Sequence, residues 1–324
     1  MGKRHKKKAK GKSSKEAKHR RASAAPPRVI EQVPTADGRS VETKIAEPIG
    51  GFTEALRIDK GFSLAGLDPS STPGFDGAKK DGRRVLAAAM DEFTDLTERL
   101  YAASTAGSRQ GVLLVVQGMD TAGKGGIMNH VVSINPQNVQ ATAFKAPTKE
   151  ELSHDFLWRI EKALPATGQL GVFDRSHYED VLIVRVLDLV PEREWSTRYA
   201  QINAFERKVA RSGTRIIKVM LHISKDEQRA RLRERLERPD KYYKYTPGDV
   251  DARERWDDYM EAYQAVLDKC STVGAPWHVV PANRKWYARL AVQQLLLEAL
   301  RDMDLKWPAA DFDIETEKAR LAAS

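Results

Sequence analysis

Cysteine is almost missing from this chain of 324 residues, which has one, Cys270. A single cysteine excludes an intramolecular disulfide framework and a zinc site built from several cysteines, and it favours a reducing compartment, the cytoplasm. The chain also lacks the run of ~20 apolar residues that a membrane-spanning helix needs, so we expect a soluble protein with no membrane partner. Because 41% of the residues are hydrophobic, the chain can build a core and is not disordered throughout.

Positive charge, in contrast, is concentrated at one end of the chain. The net charge is +9, but residues 1–28 contain eight lysines and four arginines against one acid, Glu16, a balance of +11. Subtracting +11 from +9 leaves −2 for the other 296 residues, so the body of the protein is not basic. We expect residues 1–28 to be a disordered basic tail, because they cannot bury an apolar face. Two roles stay open for this tail: it keeps the protein in solution, or it contacts polyanions.

Beyond the tail, the pattern predicts three regions: an extended N-terminal arm, a catalytic domain and a C-terminal tail. Residues 29–80 are rich in glycine, proline and serine and form the predicted arm. Residues 81–104 have the apolar spacing of a helix, and short β-rich runs then alternate with helical patterns. The predicted strands are 112–117, 139–144, 170–173, 215–223 and 277–281, and the predicted helices that follow them are 125–133, 149–163, 179–211, 225–238, 249–270 and 284–302. Such alternation predicts an α/β domain over residues 81–305, with a central parallel five-stranded sheet covered on both faces, before a tail at 306–324.

A glycine-rich segment directly after the apolar run VLLVVQ indicates phosphate binding. Gly118, Gly123 and Lys124 match the pattern G-x-x-x-x-G-K between a predicted strand and a predicted helix. In this setting backbone N–H groups surround phosphate oxygens, the helix N-terminus adds partial positive charge, and the lysine contacts the migrating phosphoryl group. The alternative is a glycine-rich turn without a ligand. The residues predicted to bind phosphate or nucleotide here are Gly118, Met119, Thr121, Ala122, Gly123, Gly125 and Gly126.

Two aspartates are the candidate metal ligands. Gly125 stands where an ordinary loop of this type has the Ser or Thr hydroxyl that binds Mg²⁺, so another group must hold the metal, and Asp120 inside the loop is the candidate. Asp174 ends the strand GVFD, as a Walker B carboxylate does, and Arg175 beside it is suited to clamp a phosphate. We therefore predict that Asp120 and Asp174 bind Mg²⁺, or Mn²⁺ in its place. An Asx turn at Asp120 and a helix N-cap at Asp174 are the structural alternatives.

A basic segment, 225–250, is the candidate lid. Arg231, Arg235 and Arg238 recur at spacings that place them on one helix face, and Lys241 and Lys244 follow in a tyrosine-rich loop. A mobile helix that closes arginines over transferring phosphates excludes water from them. The alternative is an ordinary solvated helix, because Glu227–Arg231 and Glu234–Arg238 are i,i+4 ion pairs.

Together these segments resemble the polyphosphate kinase 2 family. The resemblance covers Gly61 to Asp304 and rests on GMDTAGKGG, FKAPTKEELSHDFLWR, GVFDRSHYEDVLIVRV, RLRERLERPDKYYK and APWHVVPANRKW. It implies a P-loop kinase-like three-layer α/β/α fold with a helical lid, a homo-oligomer, and Mg²⁺-dependent transfer of the terminal phosphate of inorganic polyphosphate to a nucleotide. It also implies catalytic roles for Asp120, Lys124, Asp174, Arg175 and Arg235, and phosphate-binding or nucleotide-binding roles for Lys241 and Lys244. We predict the same binding role for Arg231 from its place on the basic face of the lid helix.

The identity of the acceptor stays open at this stage. GFSLAGLDPSSTPGFDG, FKAP and RSHYED are similar to the subgroup that phosphorylates nucleoside monophosphates as well as diphosphates, whereas Asp174 is similar to the subgroup that acts on diphosphates such as ADP or GDP. The expected partners are therefore polyphosphate and purine nucleotides, ADP and ATP among them. Two other functions compete: an ATP-dependent nucleoside monophosphate kinase of the same fold, and a nucleic-acid-binding protein with a degenerate P-loop.

Overall fold

The computed structural model describes residues 51–132 and 134–324. The basic tail predicted at 1–28 lies outside the described residues, as does the part of the predicted arm that precedes Gly51.

Five parallel strands form one sheet in the order β2-β3-β1-β4-β5. All seven residues of the central strand, β1, are buried, as expected for a strand covered by helices on both faces. The strands are β1 (Gly111–Gln117), β2 (Val139–Ala143), β3 (Leu170–Asp174), β4 (Thr214–His222) and β5 (Trp277–Pro281). The predicted α/β class with a five-stranded parallel sheet is confirmed.

Helices flank the sheet, and several of them are shorter than predicted. Within the described residues they are α1 (Phe52–Leu56), α2 (Lys79–Ala88), α3 (Met90–Thr105), α4 (Lys124–His130), α5 (Lys149–Leu152), α6 (Trp158–Lys162), α7 (Ile183–Val186), α8 (Glu192–Arg211), α9 (Lys225–Glu237), α10 (Gly248–Glu254), α11 (Trp256–Cys270), α12 (Lys285–Arg301) and α13 (Ile314–Ala322).

Four predicted helices are each divided into shorter elements. The spans 81–104, 149–163 and 249–270 each become two helices, and 179–211 becomes a 3₁₀ turn (His177–Val181), α7 and α8. Pro191 stands immediately before α8. Proline has no N–H to donate and disfavours the helical conformation in the residue before it, so it separates α8 from α7.

The described part of the predicted arm packs against α12. Phe52, Leu56 and Phe75 are buried in the core. The Glu298 carboxylate of α12 accepts hydrogen bonds from the backbone N–H groups of Phe52 (2.7 Å) and Thr53 (2.8 Å). This carboxylate satisfies two N–H groups at the start of α1 that have no partner within the helix, and so it anchors the segment.

The loops that carry the predicted site meet at one edge of the sheet, because all five strands are parallel. The Arg175 N–H donates to Val116 O (3.1 Å), which joins the end of β3 to β1. The Ala282 N–H donates to His222 O (2.7 Å), which joins the end of β5 to β4. Ligands of open α/β sheets bind at this carboxyl edge.

Residues 306–324, predicted as a tail, include α13, in which no residue is buried. Among the described residues, no helix is both long and apolar enough to span a bilayer.

Candidate active site

The loop between β1 and α4 has a backbone that only glycine can form at two positions. Gly118 has φ +149°, and a Cβ there would lie 2.6 Å from Leu221 O, so no other residue fits. Gly123 has φ +119° and precedes α4. Thr121 also has positive φ, +67°, which is uncommon outside glycine and is frequent at functional sites. The loop of residues 118–123 therefore has the close-turning backbone that the phosphate-binding interpretation requires.

Lys124 curls back over this loop. Its Nζ donates to Gly118 O (2.7 Å) and, at 3.4 Å, to Met119 O. Burial lowers the pKa of the Lys124 ammonium, while the carboxylates of Asp120 and Asp174 act in the opposite direction. A cation held inside the loop by backbone carbonyl groups, with acids nearby, is available to neutralise a phosphoryl group.

Asp174 and Arg175 reach the loop from the next strand. Asp174 pairs with Val116 of β1, two residues before Gly118, and Arg175 has φ +62°. The Arg175 Nη2 donates to Asp120 Oδ1 over 2.9 Å. Thus the structure brings the loop aspartate and the arginine after β3 into direct contact, and it brings Asp174 to the adjacent strand end.

Asp120 and Asp174 are the carboxylates that the sequence predicts as ligands of a divalent cation. Asp120 and Asp174 are both partly exposed at the sheet edge. Among the described residues, no group of three or more His, Cys, Asp or Glu side chains could hold a metal by itself. Mg²⁺ is usually bound through one or two carboxylates together with substrate phosphates and water, and phosphoryl-transfer enzymes generally use a divalent metal. Two carboxylates without a complete protein cage match that mode of binding.

Arg231 lies behind the loop rather than over it, which differs from the sequence-based expectation. Its side chain is 5% exposed, and its Nε donates to Glu227 Oε1 (2.7 Å). Its Nη1 donates to Thr121 O (2.8 Å) and Ala122 O (3.1 Å), and its Nη2 donates to Ala282 O (2.7 Å) and Asn283 O (3.0 Å). All five N–H groups of the guanidinium are therefore engaged, so Arg231 fastens the phosphate loop to the segment after β5.

Arg235, Arg238 and Lys241 pair with acids of the lid itself. Arg235 Nη1 donates to Lys244 O (2.7 Å) and Asp249 Oδ2 (3.2 Å). Arg238 pairs with Glu234 (3.2 Å) and Asp240 (2.8 Å), and Lys241 lies 3.6 Å from Asp240. The two i,i+4 ion pairs expected for a solvated helix, Glu227–Arg231 and Glu234–Arg238, are therefore both present. In this conformation Arg231, Arg235 and Arg238 do not converge on one point.

Sequence reasoning missed four groups that line the loop. Glu179 is half-buried, and its burial raises the pKa of its carboxyl group, against the opposing effect of Arg175 and Lys124. The Tyr263 hydroxyl accepts the Gly118 N–H (3.1 Å), and Gln228 Nε2 donates to Asp120 O (3.2 Å). Gln117, the last residue of β1, is fully buried. Two of the four had a sequence signal: Glu179 follows Asp174 in the DRSHYED segment, and Gln117 directly precedes Gly118. Tyr263 and Gln228 come close to the loop only through the fold.

A set of fully buried polar side chains supports the turn after β3. We call Lys218, Glu206, Tyr178 and His177 the buried charge cluster. Lys218 Nζ donates to Glu206 Oε2 (2.6 Å), Tyr178 Oη (2.9 Å) and Cys270 O (2.7 Å). Glu206 Oε1 accepts from the Tyr178 hydroxyl (2.7 Å) and lies 3.2 Å from His177 Nε2. Since His177 and Tyr178 follow Arg175 almost directly, the cluster holds the segment that delivers Asp174 and Arg175.

The remaining loop residues differ in their surroundings. Met119 and Ala122 are buried. A Cβ at Gly125 would meet no atom within 4 Å, so packing does not explain the missing hydroxyl at that position, whereas a Cβ at Gly126 would lie 3.5 Å from Arg289 Nη2. Gly126 therefore marks where α4 meets α12.

Comparison with known proteins identifies a family to which the chain is similar. The model of the family "Polyphosphate kinase 2 (PPK2)" matches residues 77–308. An AMP/ADP-polyphosphate phosphotransferase of Meiothermus ruber is 44% identical over 78% of this chain and 94% of its own length. An ADP-polyphosphate phosphotransferase of Rhodopseudomonas palustris is 40% identical over 79% of this chain and 92% of its own length.

A solved structure has the same fold. The crystal structure of polyphosphate kinase 2 from Arthrobacter aurescens TC1 is 56% identical, has a TM-score of 0.83, and is matched over 86% of this chain and 100% of its own. The family match spans well over half of the chain and includes the phosphate loop, the turn after β3 and α9. This chain therefore belongs to the polyphosphate kinase 2 family.

Proposed function

We propose that this protein transfers the terminal phosphate of inorganic polyphosphate to a purine nucleotide, with ADP as the main acceptor and AMP as the second. The single observation that carries the proposal is that Arg175, in the turn after β3, contacts Asp120 of the phosphate loop over 2.9 Å, next to Lys124 at the end of that loop. The names of the relatives from Meiothermus ruber and Rhodopseudomonas palustris support polyphosphate as the donor and AMP or ADP as the acceptor.

In the proposed reaction an oxygen of the acceptor's terminal phosphate attacks the terminal phosphorus of polyphosphate. A new P–O bond forms, the terminal P–O–P bridge breaks, and the bridging oxygen stays on the polyphosphate, which is one unit shorter. The reverse transfer uses the same groups. Phosphoryl transfer needs mainly alignment and charge stabilisation, so no protein nucleophile is required. Lys124 and Arg175 neutralise the migrating group, and the N–H groups of the loop bind its oxygens.

The proposed metal is Mg²⁺, with Mn²⁺ as a substitute, held by Asp120 and Asp174. When bound, it neutralises phosphate charge and aligns donor and acceptor oxygens. Asp120 also accepts a hydrogen bond from Arg175, so this arginine orients the carboxylate as well as contacting phosphate.

We further propose that residues 225–250 form a closing lid within a catalytic domain of residues 81–305. Arg235 is the lid residue that we expect to touch phosphate, since its side chain is partly exposed and its Nη1 is bound only within the lid, to Lys244 O and Asp249. Lys241 and Lys244 follow on the same lid. Arg231 has a positioning role instead, because its donors hold the loop in shape.

A nucleotide panel tests the proposed function. Purified protein is incubated with Mg²⁺ and long-chain polyphosphate together with AMP, ADP, GMP or GDP, and the phosphorylated products are quantified. We expect polyphosphate-dependent formation of ATP from ADP, and a smaller yield of ADP from AMP. If ATP phosphorylates AMP while polyphosphate gives no product, the protein is instead the ATP-dependent monophosphate kinase.

The basic tail and oligomeric state need their own tests. We propose that residues 1–28, with a balance of +11, help to recruit polyphosphate to a homo-oligomeric enzyme. Deletion of residues 1–28 should raise the half-saturating polyphosphate concentration without abolishing turnover. The oligomeric state is tested separately, by light scattering, which gives the mass of the assembly. Steeply salt-dependent RNA binding by a protein without phosphotransfer activity would favour the nucleic-acid-binding alternative.

A further inference from the structure

The C-terminal arm, residues 306–324, leaves the domain directly after a buried residue. Leu305 is buried, whereas every residue of the arm is exposed except Glu317, which is half-buried. Glu317 in turn pairs with Arg320 of the arm itself (2.6 Å). The family match ends at residue 308, so most of the arm lies outside it. The arm therefore extends away from the domain instead of packing on it.

The arm contains a helix, α13, with apolar side chains that are uncovered in the described part of the chain. Four large apolar side chains of the arm are between 51% and 78% exposed: Trp307, Phe312, Ile314 and Leu321. Ile314 and Leu321, seven residues apart, lie on one face of α13. The Asp313 carboxylate caps the helix by accepting the Thr316 N–H over 2.6 Å. The sequence thus encodes a definite helix whose apolar face has no partner within the described residues.

Such a helix needs a partner surface. α13 has nine residues, and helices shorter than about 12–15 residues are marginal in water unless an apolar face packs against another surface. Exposed apolar groups of this kind mark interaction sites in soluble proteins. Residues 307–317 also contain no cation and four acids, Asp311, Asp313, Glu315 and Glu317. The partner surface should therefore combine basic and apolar side chains.

The edge of the sheet where the strands begin, which we call the amino edge, has a surface of this kind. Arg109 and Arg211 are exposed there, and neither has an ion pair among the described residues. They lie on neighbouring loops, because the Gly111 N–H donates to Gly213 O (3.2 Å). Tyr101, an exposed ring in the last turns of α3, adds an apolar group at this edge. We call Tyr101, Arg109 and Arg211 the edge patch.

The arm begins beside the edge patch. Gln110 Nε2 donates to Met303 O (3.3 Å), and Arg215 Nη2 donates to Asp302 Oδ2 (3.0 Å), so the end of α12 lies against the starts of β1 and β4. The arm does not turn back onto its own patch, since in the described residues none of its acids pairs with an arginine of the patch. When two copies meet at the amino edge across a two-fold axis, each arm reaches the patch of the other copy, and the contact closes on itself.

We propose that two copies of this chain associate by exchanging their C-terminal arms. Phe312 and Ile314 of one copy pack around Tyr101 of the other, and the acids beside them pair with Arg109 and Arg211 of that copy. The exchange gives an interface for the homo-oligomer proposed above, and it rests on none of the proposed phosphotransfer chemistry. It lies at the edge of the sheet opposite the phosphate loop, which is at the carboxyl edge.

The first test changes the apolar side of the arm in the full-length protein. Sedimentation equilibrium of the wild type over a dilution series should show a dimer or a multiple of it. Phe312→Ser/Ile314→Ser should raise the dissociation constant about a hundredfold, because two apolar side chains no longer gain from burial. Leu152→Ser/Leu189→Ser removes two comparably exposed apolar side chains elsewhere and should leave the constant unchanged. A monomeric wild type, or an arm variant that associates like the wild type, would overturn the inference without affecting the phosphotransfer assay.

A charge exchange tests whether the arm contacts the patch of another copy. Asp311→Arg/Asp313→Asn changes the charge of the arm and keeps a helix cap, and Arg109→Glu/Arg211→Glu reverses the charge of the patch. Each variant alone should dissociate. An equimolar mixture of the two should regain the mass of the wild type, because both arm–patch contacts of the mixed pair then join opposite charges.

The remaining outcomes of the charge exchange are also decisive. A thermal melt confirms that each variant is folded, and Arg109→Glu alone replaces the patch variant if that one is not. If the mixture of folded variants does not associate, the arm does not contact the edge patch of a second copy. Deletion of residues 1–28 should leave the mass of the assembly at two or more chains; dissociation on that deletion would instead identify the basic tail as the partner of the arm.

Discussion

Charged side chains are paired with one another in the buried charge cluster, whereas most of those in the basic groove have no acidic partner. The basic groove is the cavity of about 640 Å³ beside the phosphate loop, between α2, α9 and the start of α12, that is lined by five cations: Lys79, Arg83, Arg284, Lys285 and Arg289. In the cluster, the Lys218 ammonium uses its three donors on Glu206, Tyr178 and Cys270, and no water reaches it. In the groove, four of five cations have no acidic partner among the described residues, and the cavity is open to an incoming anion. Charge that is satisfied within the protein holds the fold, whereas charge left without a partner at a cavity is available to a ligand. Lys124 lies between these extremes, since it is bound to loop carbonyls and yet adjoins the edge where phosphate is expected.

Lys218→Met should produce the largest change in stability. It leaves the Glu206 carboxylate buried without its cation, and we expect the free energy of unfolding to fall by about 3–5 kcal/mol. The free energy of unfolding is measured by urea titration, with circular dichroism as the signal. Lys208→Met is the matched control, because its ion pair with Glu161 (2.9 Å) is exposed and should contribute less than about 1 kcal/mol. An equally small loss at Lys218 would show that the cluster does not depend on its charge.

Lys124→Ala should mainly affect catalysis. Loss of the cation that faces the migrating phosphoryl group should lower kcat by about a thousandfold, while the free energy of unfolding changes by less than about 1 kcal/mol, because the side chain is only half-buried. Steady-state rates of ATP formation and urea unfolding check the two parts. Lys208→Ala should keep the wild-type rate. Near-normal turnover in Lys124→Ala would place the active site elsewhere.

Acid should destabilise the interior beside the cluster. The His278 ring lies 3.2 Å from Lys218 O, and burial lowers its pKa from 6.5 to about 4. Between these values the unfolded chain binds a proton that the folded chain does not, so the free energy of unfolding decreases as pH falls, by about 1.4 kcal/mol per pH unit from this group. Urea unfolding at several pH values should give a shallower slope for His278→Gln than for the wild type. Equal slopes would mean that folding does not lower the pKa of His278.

The smallest expected effect is that of salt, which should change the KM for polyphosphate through the basic groove but not the stability that depends on the buried charge cluster. Because four of the five groove cations are solvent-exposed, raising sodium chloride from about 0.05 M to about 0.5 M should raise the KM for polyphosphate several-fold. Ions do not enter the cluster, so the free energy of unfolding should change by less than about 1 kcal/mol over the same range. A KM for polyphosphate that is insensitive to salt would argue against ionic recognition of the donor.

Local patterns predicted part of the site correctly. Gly118, Gly123 and Lys124 occupy a close turn after a buried strand, as expected, because a turn with positive φ can be recognised from adjacent residues alone. The i,i+4 pairs of α9 were also visible in the sequence. Helical spacing cannot show which side of a helix packs on the domain, however, and for that reason Arg231 was expected on the lid surface but lies buried behind the loop.

The sequence by itself determined the five strands and their alternation with helices, the phosphate loop and the excess of charge in residues 1–28, because each depends on residues close together in the chain. Tertiary structure alone decided the buried charge cluster and the basic groove. Lys218 meets Tyr178 and Cys270 only across the sheet, and Arg83 meets Arg289 only because Gly82 lets α2 lie against Trp286. Whether a charge is satisfied or free depends on such long-range neighbours, which no local pattern encodes.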